Sequence, residues 1–225
     1  MRAHEQYPGY FITVEGPDGA GKTTLLNHLI PHLSDQLSRP LITTREPGGV
    51  PIAEEIRQMI LDKTHTTLDA RTEALLYAAS RRQHLVEKVL PALNRGEVVL
   101  CDRFVDSSVA YQGYGRQLGS EAILSINQFA TEGLEPDATI YCDLSAEIGL
   151  ERIRKHREEA EQNRLDQEDI AFHRAVVSGY ADLKQTAGDR FLIVDASMSE
   201  EAMKQSALSQ LQERFPALFT QTVNK

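Results

Sequence analysis

The sequence contains the octapeptide Gly16-Pro17-Asp18-Gly19-Ala20-Gly21-Lys22-Thr23. This is the P-loop pattern G-x-x-x-x-G-K-T, in which a glycine-rich turn directs backbone N–H groups towards one point where a polyphosphate can be held. The lysine of such a loop reaches the β- and γ-phosphates, and the threonine offers its hydroxyl to Mg²⁺, which prefers hard oxygen ligands. The pattern therefore predicts that this loop, together with Thr24, binds a nucleotide, and that Thr23 is a metal ligand.

The residues on either side of the octapeptide decide whether the match is meaningful. The β-branched and aromatic run from Tyr10 to Val14 predicts a buried strand that ends just before the loop. After the loop, apolar residues recur at helical spacing, beginning with Leu25 and Leu29. A strand, a loop and a helix in this order are what a P-loop requires, so the alternative of a glycine-rich turn that binds nothing is disfavoured.

The bulk composition predicts a soluble protein with one domain, residues 1–225. No linker-like stretch divides the chain, and it is 41% hydrophobic and 25% charged. Without a run of about eighteen apolar residues we expect no membrane span. The polar segment from Met1 to Pro8 lacks the apolar core of a signal peptide, which favours the cytoplasm. The net charge of −9 argues against non-specific nucleic-acid binding, which requires a basic surface.

Further strands and helices alternate along the chain. Strands are predicted at Pro40–Thr44, Glu97–Cys101, Ala138–Cys142 and Phe191–Val194, and helices at about 52–61, 69–94, 120–132 and 199–214. This alternation predicts right-handed βαβ crossovers and an α/β fold with a central five-stranded parallel sheet. Cys101 and Cys142 fall at the ends of buried strands, and we expect both to be reduced core residues.

Ligands of parallel α/β sheets bind outside the carboxyl ends of the strands. Polar residues follow four of the predicted strands directly, and they are Asp18, Arg45-Glu46, Asp102-Arg103 and Asp143. We therefore expect these side chains to share one crevice.

Longer motifs now extend the match beyond the P-loop. They are Glu15 to Thr24, Thr44-Arg45-Glu46-Pro47-Gly48-Gly49, Cys101-Asp102-Arg103-Phe104, and Ser107 to Gly113 (Ser-Ser-Val-Ala-Tyr-Gln-Gly). In this order they closely resemble the bacterial thymidylate kinase family. The resemblance implies a three-layer P-loop NTPase fold with a mobile lid at about residues 152–166. It also implies transfer of the ATP γ-phosphoryl group to dTMP, giving dTDP and ADP, with Mg²⁺.

The resemblance also implies a homodimer, and the apolar face of the long helix is the expected contact. The apolar positions of that helix are Ala74, Leu75, Ala78, Leu85, Val89 and Leu93.

The resemblance assigns the dTMP site to Asp18, Arg45, Glu46, Arg57, Tyr77, Arg81, Arg103, Ser108, Tyr111 and Gln112. Arg45, Arg57 and Arg103 would face the phosphate, for which a planar guanidinium is well suited. Asp18 would bind the 3′-hydroxyl, and Glu46 would lie near the acceptor, although it could equally stabilise the turn that follows it.

The thymine contacts are expected from the long helix and from the segment after it. Tyr77 and Arg81 are four residues apart and so face the same way. By resemblance Tyr77 stacks on the base, where phenylalanine is commoner, and Arg81 hydrogen-bonds the ring. Tyr111 would stand where a ribose 2′-hydroxyl would lie, and Gln112 can both donate to and accept from the thymine edge. Core packing for Tyr77 and a surface-loop position for Gln112 are the alternatives.

Catalysis is assigned to Lys22, Asp102, Arg103 and lid arginines. Asp102 would hold Mg²⁺ or its waters with Thr23, and it could also anchor Arg103, since the two roles can coexist. The loop itself contains no arginine. In members of the family that lack an arginine in this loop the lid supplies one, so the resemblance implies a lid cation, with Arg164 as the first choice and Arg157 as the second. Arg152 is expected along the adenine of ATP.

Two other functions fit parts of the sequence. One is a kinase for another nucleoside monophosphate or for a deoxynucleoside. The other is a nucleotide-binding switch without turnover, which would have no use for the acceptor-site residues.

Overall fold

A computed structural model describes residues 1–156, 164–165 and 168–220. The strands are β1 (Tyr10–Glu15), β2 (Leu41–Arg45), β3 (Val98–Asp102), β4 (Ala138–Asp143) and β5 (Phe191–Asp195). The α-helices are α1 (Ala3–Gln6), α2 (Lys22–Gln36), α3 (Pro51–Leu61), α4 (Ala70–His84), α5 (Leu90–Asn94), α6 (Val105–Ser108), α7 (Ser120–Thr131), α8 (Ala146–His156), α9 (Ile170–Thr186) and α10 (Glu200–Arg214). No helix in these ranges is both long enough and apolar enough to cross a membrane.

The five described strands form one parallel sheet in the order β2-β3-β1-β4-β5. The chain runs from β1 out to the edge strand β2, returns to β3 beside β1, and then crosses to β4 on the other side of β1. The carboxyl end of β1 therefore lies where the strand order changes direction, which is where α/β sheets bind their ligands. The predicted five-stranded α/β fold is confirmed.

Alternating residues of the central strand face two different layers of helices. Ile12 and Val14 pack into a hydrophobic cluster with Leu25 and Leu29 of α2 and Met203 of α10. Phe11 faces the other way, into a cluster built on the long helix. Helices on both faces explain why the inner strands consist of nearly continuous apolar runs.

The two cysteines lie on opposite faces of the sheet. Both are free and buried, Cys101 on the face of the long helix and Cys142 on the face of α2. Burial raises the pKa of both thiols, that of Cys142 to about 12. The prediction of reduced core residues is confirmed.

The long helix predicted over 69–94 is interrupted. Asp69 caps α4 by accepting from two backbone N–H groups, and a π-helical turn, Leu85–Val89, joins α4 to α5. The physical reason is Pro91, which has no N–H to donate to the carbonyl of Glu87 and whose ring would clash with that carbonyl in a regular helix. The wider turn, in which Leu90 N–H donates to the Leu85 carbonyl, removes this conflict.

The P-loop depends on glycine at two positions. Gly21 precedes α2 with φ of 76°, in the left-handed region that favours glycine. Gly19 has φ of 77°, and a Cβ at this position would collide with the backbone carbonyl of Gly149 in α8. The sequence of the loop is thus constrained by its conformation and by the close approach of α8.

Candidate active site

A cavity of about 730 Å³ opens at the carboxyl ends of β1, β2 and β3. The predicted site residues that line it are Asp18, Gly19, Gly21, Lys22, Thr23, Thr24, Arg45, Glu46, Arg57, Tyr77, Arg81, Asp102, Arg103, Ser108, Tyr111, Gln112 and Arg152. Gly16, Pro17 and Ala20 are not part of the lining. The carbonyls of Gly16 and Pro17 instead hold the Lys22 side chain, and Ala20 packs in the core.

Lys22 is a buried cation at the end of the P-loop. Its Nζ donates to the carbonyls of Gly16 at 2.9 Å and Pro17 at 2.8 Å. Burial, and next the nearby guanidinium of Arg103, lower the pKa of Lys22 to about 8. Both effects disfavour the charged ammonium form of Lys22. The negative charge of a bound polyphosphate would favour that form again.

Asp102 follows the buried part of β3 and carries an unusual buried oxygen. Its Oδ1 has no hydrogen-bond partner among the described residues. A buried polar atom without a partner is costly, so it indicates a ligand that the protein alone does not supply. The hydroxyl of Thr23 lines the same cavity, and carboxylate and hydroxyl oxygens are the hard donors that Mg²⁺ takes. These residues fit a magnesium ion.

Arg103 is held on several sides and has φ of 70°, which is uncommon for a residue other than glycine. Its Nη2 donates to Asp18 Oδ1 at 2.5 Å, and its Nη1 donates to the Gly16 carbonyl at 3.1 Å and to Ser107 Oγ at 3.0 Å. The hydroxyl of Tyr111 donates to the other oxygen of Asp18 at 2.8 Å. The described hydrogen bonds of Arg103 do not include Asp102, so the alternative in which Asp102 anchors this arginine is not observed.

Glu15, at the end of β1, fixes the turn that carries Arg103. Its carboxylate accepts from the backbone N–H of Phe104 at 2.7 Å, from Ser107 Oγ at 2.5 Å and from the hydroxyl of Tyr180 at 2.8 Å. Burial, and next the charge of Asp106, raise the pKa of Glu15 to about 7. These bonds tie β1 to the residues directly after Arg103, and they explain how the strained backbone there is maintained.

Arg81 is the centre of a buried polar network beneath the cavity. Its Nε donates to Glu46 Oε2 at 2.7 Å, and the other oxygen of Glu46 accepts from His84 Nδ1 at 2.8 Å. The Nη groups of Arg81 donate to Ser108, Asn127 and the Phe104 carbonyl. Arg81 and Glu46 are 2% and 3% exposed, so each is the main charge partner of the other. Glu46 therefore holds Arg81, rather than only stabilising the turn after β2.

Two further arginines stand at the β2 side of the cavity. Arg45 donates to both carboxylate oxygens of Glu54, at 2.8 and 3.0 Å, and Arg57 donates to the Pro47 carbonyl at 2.9 Å. Burial, and next the charge of Arg45, lower the pKa of Arg57. Two cations that repel each other in this way favour an anionic ligand between them.

The model of the thymidylate kinase family matches residues 14–207 of this chain. The chain belongs to the thymidylate kinase family. The thymidylate kinase of Lacticaseibacillus casei strain BL23 is 54% identical over 211 residues, which cover 94% of this chain and 99% of the relative. That of Enterococcus faecalis strain V583 is 53% identical with the same coverage. The crystal structure of thymidylate kinase from Ehrlichia chaffeensis has a TM-score of 0.72 and 29% identity, covering 91% of this chain and 98% of that structure.

Most residues that the thymidylate kinase resemblance assigned to the site come together in one cavity. Besides the three P-loop residues named above, two further predicted residues lie outside its lining. Asp143 is not part of the lining, because its carboxylate pairs with Lys184 of α9 at 3.1 Å. Arg164 also lies outside this lining. Its guanidinium pairs with the buried carboxylate of Glu73, and its Nε donates to the Ile60 carbonyl at 3.2 Å. The expectation that Arg164 stands at the transferred phosphoryl group is therefore not met in this conformation.

The other two arginines predicted to act from the lid are Arg157 and Arg152. Arg157 lies outside the described residues. Arg152 lines the cavity, and its Nη1 donates to the Ala196 carbonyl at 3.0 Å and the Gly19 carbonyl at 3.4 Å. It therefore joins the P-loop to the residues after β5.

The sequence analysis missed Glu73, Phe104 and Ser107. Glu73 precedes Tyr77 and Arg81 at spacings of four and eight, so the helical argument that paired those two residues would have placed Glu73 on the same stripe. Phe104 lies under the guanidinium of Arg81, whose Cζ is 5.2 Å from the ring centroid. Phe104 and Ser107 belong to the motifs that carry the resemblance, but their roles depend on contacts with residues distant in sequence, which the motifs do not show.

Proposed function

We propose that the cavity binds ATP and dTMP end to end, with the P-loop at the donor phosphates and Tyr77, Arg81 and Gln112 at the thymine. As a member of the thymidylate kinase family, the chain phosphorylates dTMP to dTDP. The observation that carries the site assignment is the single cavity that joins the P-loop to the acceptor residues. A nucleotide-binding switch would need the P-loop end of this cavity and would not need the acceptor residues.

The mechanism follows from the charges around the cavity. Phosphoryl transfer requires positioning and neutralisation of charge more than covalent participation of the protein. Lys22 would neutralise the donor phosphates, and Arg45, Arg57 and Arg103 would orient the acceptor phosphate for in-line attack. Thr23 and Asp102 would hold Mg²⁺, which when bound neutralises charge on the phosphate oxygens.

Asp18 is placed to position both Arg103 and the sugar. Its two carboxylate oxygens are already used by Arg103 and Tyr111, which fixes the plane of the carboxylate. We infer that the 3′-hydroxyl of dTMP donates to one of these oxygens, while Tyr111 occupies the space of a 2′-hydroxyl.

The whole chain, 1–225, would act as one domain in the cytoplasm.

Coupled ADP release tests this proposal. With ATP and Mg²⁺ we expect turnover that depends on dTMP, falls to background with dGMP or without an acceptor, and disappears with EDTA. Lys22→Ala should lose activity by a factor of about 10² or more because a charge is missing at the transferred group. Lys184→Ala is the matched control, since Lys184 pairs with Asp143 away from the cavity. Nucleotide binding without any dTMP-dependent turnover would refute the proposal.

We also propose that the enzyme is a homodimer. The predicted contact has to be revised, because Ala74, Ala78, Leu85, Val89 and Leu93 of the long helix are buried within the chain. Its large exposed apolar residues are Leu75 and Val86, on one stripe with Arg82. Arg82 donates to the Ala130 carbonyl of α7, so this stripe borders Phe129, which is 90% exposed. A second copy would cover these apolar side chains.

Sedimentation of the Phe129→Glu variant tests the dimer. We expect the wild type to sediment as a dimer and the variant as a monomer, because a charge would be buried in the contact. Ile193→Glu changes a residue of the edge strand β5 that is 43% exposed, and it should remain dimeric. A wild-type monomer, or a dimeric Phe129→Glu variant, would contradict the proposed contact.

A further inference from the structure

Glu73 places a fully buried carboxylate behind the wall of the cavity. Its Oε1 accepts from Nε2 of Gln112 at 2.9 Å and from Nε of Arg116 at 3.3 Å. Its Oε2 pairs with Arg164 and, at 3.3 Å, with Nη2 of Arg116. Two guanidinium groups thus compensate its charge, and a buried carboxylate compensated in this way is an acceptor of hydrogen bonds only.

This carboxylate determines which end of the Gln112 amide faces the cavity. The two ends of a glutamine amide have the same shape and opposite hydrogen-bonding character, and the surrounding network decides their orientation. Because Glu73 can only accept, the NH₂ group of Gln112 must point at it. No donor contacts the Gln112 amide oxygen among the described residues, and Gln112 is part of the cavity lining. The oxygen is left for a ligand.

The edges of the pyrimidine bases differ in the same respect. Thymine and uracil present an N3–H donor between two carbonyl acceptors, whereas cytosine presents an N3 acceptor beside an amino donor. An amide whose oxygen is available accepts from N3–H. To donate to the N3 acceptor of cytosine, Gln112 would have to turn its NH₂ towards the base, which would set its amide oxygen against the carboxylate of Glu73.

We propose that Glu73 is a specificity-positioning residue, which selects bases with an N3–H donor by fixing the orientation of the Gln112 amide. This inference rests on the proposed function, in which the base of the acceptor lies against Gln112. Glu73 acts through Gln112 and touches no substrate atom itself. Its position on the stripe of Tyr77 and Arg81 puts it directly behind the proposed base site.

The test is the ratio of kcat/KM for dTMP and dCMP in Glu73→Gln. A glutamine at position 73 can offer either a donor or an acceptor, so the amide of Gln112 becomes free to turn. We expect the preference for dTMP over dCMP to fall about tenfold, with an absolute gain for dCMP. The decrease is limited because Arg81 still presents only donors. The ratio of dTMP to dUMP should not change, since both bases present the same edge to Gln112.

Arg116→Gln is the matched control. It alters a partner of the same carboxylate without changing what Glu73 offers to Gln112, so the dTMP to dCMP ratio should stay at the wild-type value. If Glu73→Gln does not fold, Glu73→Met removes the acceptor at similar length and is measured in the same way. A parallel fall for dTMP, dUMP and dCMP would overturn the inference and leave Glu73 a structural residue. A wild-type enzyme inactive on dTMP would instead refute the proposed function.

Discussion

Replacing Arg103 with alanine should lower kcat/KM for dTMP by about 10³-fold while the protein remains folded. The guanidinium lies within reach of the P-loop carbonyl of Gly16 and of Asp18, so its loss removes a cation from the point where the two substrates would meet. Steady-state kinetics at saturating ATP, with circular dichroism as the check on folding, measures the effect.

The controls for this variant separate charge from geometry. Arg103→Lys keeps a positive charge but loses the planar pair of donors that spans Asp18 and Gly16, so it should recover only part of the activity. Arg174→Ala removes an arginine that pairs with Glu147 on the exposed surface, and it should be as active as the wild type. A decrease of less than tenfold in Arg103→Ala would contradict the proposed role.

Replacing Arg81 with alanine should destabilise the fold by about 3–5 kcal/mol, since Glu46 would remain buried without its guanidinium partner. The donors to Ser108, Asn127 and the Phe104 carbonyl would be lost with it. The free energy of unfolding in urea measures this.

An exposed arginine gives a control of the same type. Arg174 pairs with Glu147, and the side chains are 64% and 56% exposed, so Arg174→Ala should change the free energy of unfolding by no more than about 1 kcal/mol. Equal stability of the two variants would show that the buried network contributes little. The comparison also bears on function, because a loss of activity in Arg81→Ala does not by itself demonstrate a thymine contact.

Much of the fold could be predicted because it is encoded locally. Runs of apolar, β-branched and aromatic residues marked the five strands to within about one residue at each end. The interrupted helix was missed, because periodicity reports which face is apolar and not how the backbone accommodates Pro91. The crevice was predicted correctly for the residues after β1, β2 and β3. The prediction that Asp143 lines the crevice was wrong. Strand order predicts that Asp143 lies at this edge of the sheet, but Lys184 of the neighbouring helix α9 pairs with its side chain.

The sequence by itself determined the P-loop, the parallel sheet and the group of cations and carboxylates at its carboxyl edge, because these depend on spacings within short segments. Only the tertiary structure decided that Glu46 holds Arg81, that Glu73 faces Gln112 and captures Arg164, and that Glu15 supports the turn carrying Arg103. Each of these contacts joins residues that are 35 to 91 positions apart in the sequence. Hydrogen bonds of this kind depend on how helices pack on the sheet, and no periodicity within one segment specifies them.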